Sequence, residues 1–142
     1  MSDMNEPLTE DLLEQLLIAD DPESFLNDND LGQRDLPGML ADLLDAKGLR
    51  RIDVVHEAQL NETFGYQIFK GKRKPSRNKV LQLALGMRLN LKETDRLLQA
   101  AEVSTLYCKD RRDAIIIYCI EHDATLAETN DSLYEFGEDT IC

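Results

Sequence analysis

Four cations within five residues, Lys70, Lys72, Arg73 and Lys74, follow directly on a short helical pattern and end at Pro75. Lysine and arginine at that density suit phosphate, because neutralising a phosphate releases condensed counterions whatever the base sequence. The stretch that carries them, Gly48 to Ser76 (GLRRIDVVHEAQLNETFGYQIFKGKRKPS), holds two helical patterns. The first presents Ile52, Val54, Val55 and Ala58, the second Phe64, Ile68 and Phe69, with Leu60 and Asn61 between them. Asn61 has the chemistry of an N-cap, Gly71 can take the left-handed conformation that ends a helix, and Pro75 blocks continuation. The stretch reads as a helix-turn-helix followed by a basic loop, and its target as nucleic acid.

Other chemistry is set aside on the same grounds. Cys119 and His122 lie three apart on one predicted helix, a spacing that can share a metal, and Cys108 or Cys142 could add a ligand. No Cys-x-x-Cys and no second His supports such a site, so Cys119 reads as a core thiol beside a helix-end His, and neither metal nor cofactor is expected. His56 reads as surface. With no glycine-rich phosphate loop and no nucleophile elbow, and with acids that read as solvated faces, the chain is not expected to be an enzyme. Three cysteines are an odd number, which suits reduced thiols in a cytoplasmic compartment. The longest apolar run, Ala114 to Ile120, is too short to span a bilayer, and the acidic N-terminus lacks a signal-peptide charge pattern.

A formal charge of −12 over 142 residues repels a polyanion at long range. The charge is segregated, however. Residues 1–35 carry eleven acids and one base, residues 48–88 nine bases and three acids, and residues 102–142 ten acids and three bases. The middle is therefore net +6 between flanks of net −10 and −7, and any polyanion contact belongs there.

The elements that must position these cations are all helical. Residues 1–35 read as an acidic arm in which Leu8 to Ile18 forms an amphipathic helix and Asp21-Pro22 starts a shorter one; it either covers an apolar patch or holds a partner or the basic surface. Leu36, Met39, Leu40, Leu43 and Leu44 recur at helical spacing up to Gly48. After the central pair, Ser76 caps a helix carrying Val80, Leu81, Leu83, Ala84 and Met87, and Asn90 to Glu93 forms a capping box opening another with Leu97 and Leu98. The β-branched run Ala114 to Ile120 suits strand or helix. A shift of 35 residues lays Asn78 to Leu98 over Asp113 to Leu133, with Leu91, Glu93, Thr94 and Leu98 recurring as identical residues. Arg111 to His122 and Leu126 to Phe136 should therefore form a second hairpin, closed by Gly137. The expected divisions are an arm over 1–35, a helix-turn-helix domain over 36–101 and a C-terminal helical hairpin over 102–142 packed on the core.

Gly48-Leu49, Val54, Leu60, Ile68 and Gly71-Lys72-Arg73-Lys74-Pro75-Ser76 align without a gap on the pattern of the phage-repressor family. The chain thus resembles the lambda-repressor-like (Xre-type) helix-turn-helix proteins over Leu36 to Ala101, just under half its length. The resemblance implies an all-α, five-helix core whose third helix lies in the major groove of double-stranded DNA. It places Glu62, Thr63, Tyr66 and Gln67 toward bases, Gln67 being suited to pair with adenine, and puts Arg51, Lys70, Lys72, Arg73 and Lys74 on phosphates. Three residues depart from the pattern. Gln59 stands where the turn usually has Gly, Gly65 stands where an apolar residue is usual and is expected to leave a gap for Phe64 or Phe69 to fill, and Arg51 replaces a frequent Gln. The implied function is transcriptional regulation, with DNA, a second copy in a homodimer, and a protein held by the acidic arm as the partners considered. The rivals are a protein-interaction module on the same fold and an antitoxin-like protein that does both.

Overall fold

The computed structural model describes residues 35–142; the helices expected in the acidic arm lie outside them. Among the described residues there are seven α-helices and no strand: α1 (Leu36–Lys47), α2 (Arg51–Glu57), α3 (Glu62–Phe69), α4 (Arg77–Gly86), α5 (Leu91–Ala100), α6 (Arg111–Glu121) and α7 (Leu126–Glu135). The ambiguous run Ala114 to Ile120 is helical, inside α6. No helix among the described residues is long and apolar enough to cross a membrane.

Starts and stops explain why these segments are helices. Asn61 accepts the backbone N–H of Phe64 at 3.1 Å, Ser76 caps α4, and Asp110 accepts the N–H of Asp113 at 2.9 Å. Asn90 with Glu93 and Thr125 with Glu128 form complete capping boxes, each satisfying two otherwise orphaned donors. Each of the seven helices ends on a residue with φ between 53° and 76°: Gly48, Gln59, Gly71, Arg88, Glu102, Asp123 and Gly137. The following N–H then reaches back to a carbonyl of the last turn, as in Leu60 to Val55, Leu89 to Ala84 and Ala124 to Cys119.

One hydrophobic core runs from Leu36 and Leu40 of α1 through Val54, Ile68, Leu81, Leu83, Leu97 and Leu98 to Ile116, Leu133 and Ile141. Helix α1 packs on α3 and α5, α2 on α3 and α4, α4 on α5 and α7, and α6 on α5 and α7. Leu36–Cys142 is accordingly one compact unit.

The repeat extends further than its identical residues. Arg77 donates to the carbonyls of Ser104 and Thr105, and Arg112, 35 positions on, donates to those of Asp139 and Thr140. The N–H of Leu106 is held by Asp95 and that of Ile141 by Asn130, while Thr94 and Thr129 each bond their own cap carbonyl. Hairpins α4–α5 and α6–α7, each with the extended segment after it, are two copies of one unit.

Candidate nucleic-acid interface

The site is assembled on the α2–α3 hairpin, which glycine brings close together. A Cβ at Gly65 would stand 2.7 Å from Cγ2 of Val55, inside any real contact. The gap expected at Gly65 is therefore absent: α2 approaches α3 closely there, and Val55, not Phe64 or Phe69, occupies the space. With Val54, Val55, Gly65 and Ile68 buried, α3 turns Glu62, Thr63, Tyr66 and Lys70 to solvent, with Gln67 half-buried at the edge of the stripe. Glu62, Tyr66 and Lys70 are spaced four apart and share a face. All four residues assigned to bases lie along it.

The cations gather around that stripe. The Arg51 guanidinium lies 4.7 Å from the centre of the Tyr66 ring and the Lys70 ammonium 5.6 Å from it, so a cation from α2 and one from the end of α3 share one aromatic. Arg73 and Lys79 stand over Phe64 at 5.2 and 5.9 Å. The loop itself is anchored by buried Pro75 and by Gly71, where an added Cβ would meet Pro37 at 3.0 Å. Arg51, Ile52, Val55, Glu62, Thr63 and Tyr66 line a recess of about 280 Å³ between the helices.

The predicted residues differ in how they are engaged. Arg51, Lys70 and Lys72 form no ion pair among the described residues. Arg73 donates from Nε to Oε1 of Gln67 at 3.0 Å, joining a residue assigned to phosphate with one assigned to a base. Lys74 is turned away to Glu102, whose carboxyl it holds below the usual range. That pair is exposed, so solvent screens it and a phosphate can compete for the lysine. Glu62 lies 3.0 Å from Nε2 of His56.

Sequence reasoning missed three neighbours of the site. Arg50 is the N-cap residue of α2 and is tied to Asp53 at 2.8 Å, its hydrogen bond holding that exposed carboxyl low. Ile52, read from sequence with the apolar residues Val54, Val55 and Ala58, is instead exposed beside Arg51, and Lys79 reaches Phe64 from another helix. Arg50 was legible as a second base at the start of α2; the placement of the other two depends on packing. Elsewhere, Cys119 is buried and His122 stacks on Tyr118 with ring centroids 3.9 Å apart, so the pair considered for metal is engaged in packing.

Acids and bases farther along serve the fold. Asp113 accepts both terminal nitrogens of Arg77, at 2.9 and 2.8 Å, and the N–H of Tyr107 at 3.0 Å. Burial pushes its carboxyl up, but the Arg77 and Tyr107 hydrogen bonds and the charges of Arg77 and Arg112 outweigh that and hold it low.

No protein-family profile, curated protein or solved structure significantly matches this chain, so the phage-repressor resemblance stands on the residues of Gly48 to Ser76.

Proposed function

We propose that this protein is a sequence-specific, double-stranded-DNA-binding regulator of transcription, built on a five-helix lambda-repressor-like core over Leu36 to Ala101. Helix α3 enters the major groove with Glu62, Thr63, Tyr66 and Gln67 toward base edges, while Arg51, Lys70, Lys72 and Arg73, with Lys74 once released from Glu102, hold phosphates. The observation that carries this reading is the solvent-facing stripe of α3 flanked by Arg51, Lys70 and Lys72, which have no ion-pair partner among the described residues of a chain of net charge −12. Three cations without an ion pair among the described residues of so acidic a protein, two of them over one aromatic, match the phosphate backbone better than a random surface.

Retention on immobilised duplex DNA across a salt gradient tests it. A regulator is retained at low salt and released steeply as salt rises, whereas a protein without a polyanion site flows through at −12. On a preferred duplex, Gln67→Ala should weaken binding by about 1–3 kcal/mol and leave random DNA nearly unaffected. Equal losses on both duplexes would remove Gln67 from base reading.

A second reading, a protein-interaction module on the same helices, is favoured by a different observation. Tyr107, Tyr118, Tyr134 and Phe136 are exposed in the segment that carries net −7. Flow-through in the salt experiment would favour that reading over DNA.

A further inference from the structure

Among the described residues, Ile52 is the one exposed large aliphatic side chain, at 40%; every other exposed large apolar residue is aromatic. It sits in the first turn of α2 on the wall of the recess between α2 and α3. Val55 of the same helix and Thr63 and Tyr66 of α3 line the recess as well. Of the two charged members, Arg51 is engaged with the ring of Tyr66 and one oxygen of Glu62 with His56. What is left open is a concavity of mixed lining whose apolar wall is Ile52 and Val55, on the face that carries the base-directed residues.

We propose that this recess seats the C5-methyl group of a thymine and that Ile52 is a specificity-determining residue; the proposal rests on the DNA-binding reading above. Of the four bases, only thymine presents an apolar group to the major groove. A volume of about 280 Å³ takes that methyl together with the adjoining edge of the base. Glu62 at the rim strengthens the choice. The second oxygen of its carboxylate accepts a hydrogen bond from the N6 amino group of the adenine paired with that thymine. The same carboxylate opposes the N7 and O6 acceptors of a guanine. Methyl and amino group thus come from one T·A pair, and the recess and its rim read both.

Deoxyuridine differs from thymidine only by this methyl, which makes the inference directly testable. A duplex enriched from a randomised pool by the full-length protein is resynthesised with each thymine replaced in turn by deoxyuridine, and affinities are measured for wild type and Ile52→Ala. Burying one methyl is worth about a fourfold change in affinity. Wild type should lose about that factor at one thymine position of the site. Ile52→Ala should bind the thymine duplex about as weakly as wild type binds the uracil duplex, and should be indifferent to the substitution. Because Ile52 is exposed, the variant should keep its thermal midpoint and its affinity for random DNA, which separates loss of the methyl pocket from loss of the fold. Wild type indifferent to every uracil, or Ile52→Ala as sensitive as wild type, overturns the recess while leaving DNA binding in place. A pool in which nothing is enriched overturns the DNA reading itself.

Discussion

The first hairpin, α2–α3, and the two that follow, α4–α5 and α6–α7, use one backbone device and opposite surface chemistry. In all three the chain leaves the first helix through a left-handed residue, Gln59, Arg88 or Asp123, and enters the second two positions later at a side-chain cap, Asn61, Asn90 or Thr125. The later hairpins tie arginines to other parts of the chain. Arg77 and Arg112 bind carbonyls of the extended segments, and Arg88 bonds the carbonyl of Asp123 at 2.9 Å. In the first hairpin Arg51, Lys70 and Lys72 are left without an ion pair among the described residues. The same turn therefore supports a structural unit or a candidate reading head, according to whether its cations find a partner inside the chain.

The comparison can be broken most forcefully at the structural end. Asp113→Ala leaves Arg77 part-buried without its carboxylate and should cost about 3 kcal/mol in urea unfolding at neutral pH, without altering the salt dependence of DNA retention. Because the folded carboxyl is held below its unfolded value of about 3.9, its contribution is complete at neutral pH and is lost as pH falls below about 4. Wild type should thus lose more stability on acidification than Asp113→Asn does. Should the salt slope change in Asp113→Ala, the division between structural and binding cations would fail.

The reverse experiment removes Lys72, Arg73 and Lys74 together. Affinity should drop at least about tenfold on every duplex, and the salt slope should flatten by about one for each phosphate no longer neutralised. A decrease near two would mean that Lys74 stays on Glu102; a decrease near three, that it swings to the backbone. No change in slope would take the loop out of the interface.

Two smaller effects sharpen the picture of the turn. Gly65→Ala should destabilise by about 1–2 kcal/mol through overpacking on Val55, and Val55→Ala in the same protein should give part of it back. Without that coupling in a double-mutant cycle, close helix approach is not what Gly65 provides. Gln59→Gly should stabilise by up to about 1 kcal/mol by relieving a left-handed residue of its Cβ. Arg88→Gly should show no such gain, since it also removes the bond to Asp123. Equal thermal shifts in the two variants would show that the Arg88 bond adds nothing.

What was legible in the sequence follows from how local each determinant is. Asn61, Ser76, Asn90 and Thr125 act within three residues of themselves, and each is found capping the helix expected of it. The helical pattern of α3 was legible from Phe64, Ile68 and Phe69, whereas its outward residues were assigned only through the family resemblance. The identity of Ala114 to Ile120 was not local, and only the repeat decided it. Three determinants stayed hidden because they depend on approach between distant segments. Val55 closes the space at Gly65, Lys74 meets Glu102 across 28 residues, and Lys79 reaches Phe64 from another helix. The left-handed Arg88, Glu102 and Asp123 were missed for a different reason: without glycine, nothing in the residue type announces the conformation.

Buried among the leucines of α4 is a polar side chain, Gln82, whose amide nitrogen donates to the carbonyl of Ala58 at 2.8 Å, at the C-terminal end of α2. One turn farther along α4, Gly86 passes so close that a Cβ would meet the Ala58 nitrogen at 3.0 Å. The exit of α2 is thus keyed to the centre of the core by one bond that water cannot reach. In terms of hydrogen exchange, the amides of the α2–α3 turn should open together with α4 rather than fray as a surface loop does. The hairpin that carries the cations holds its shape for as long as the core does.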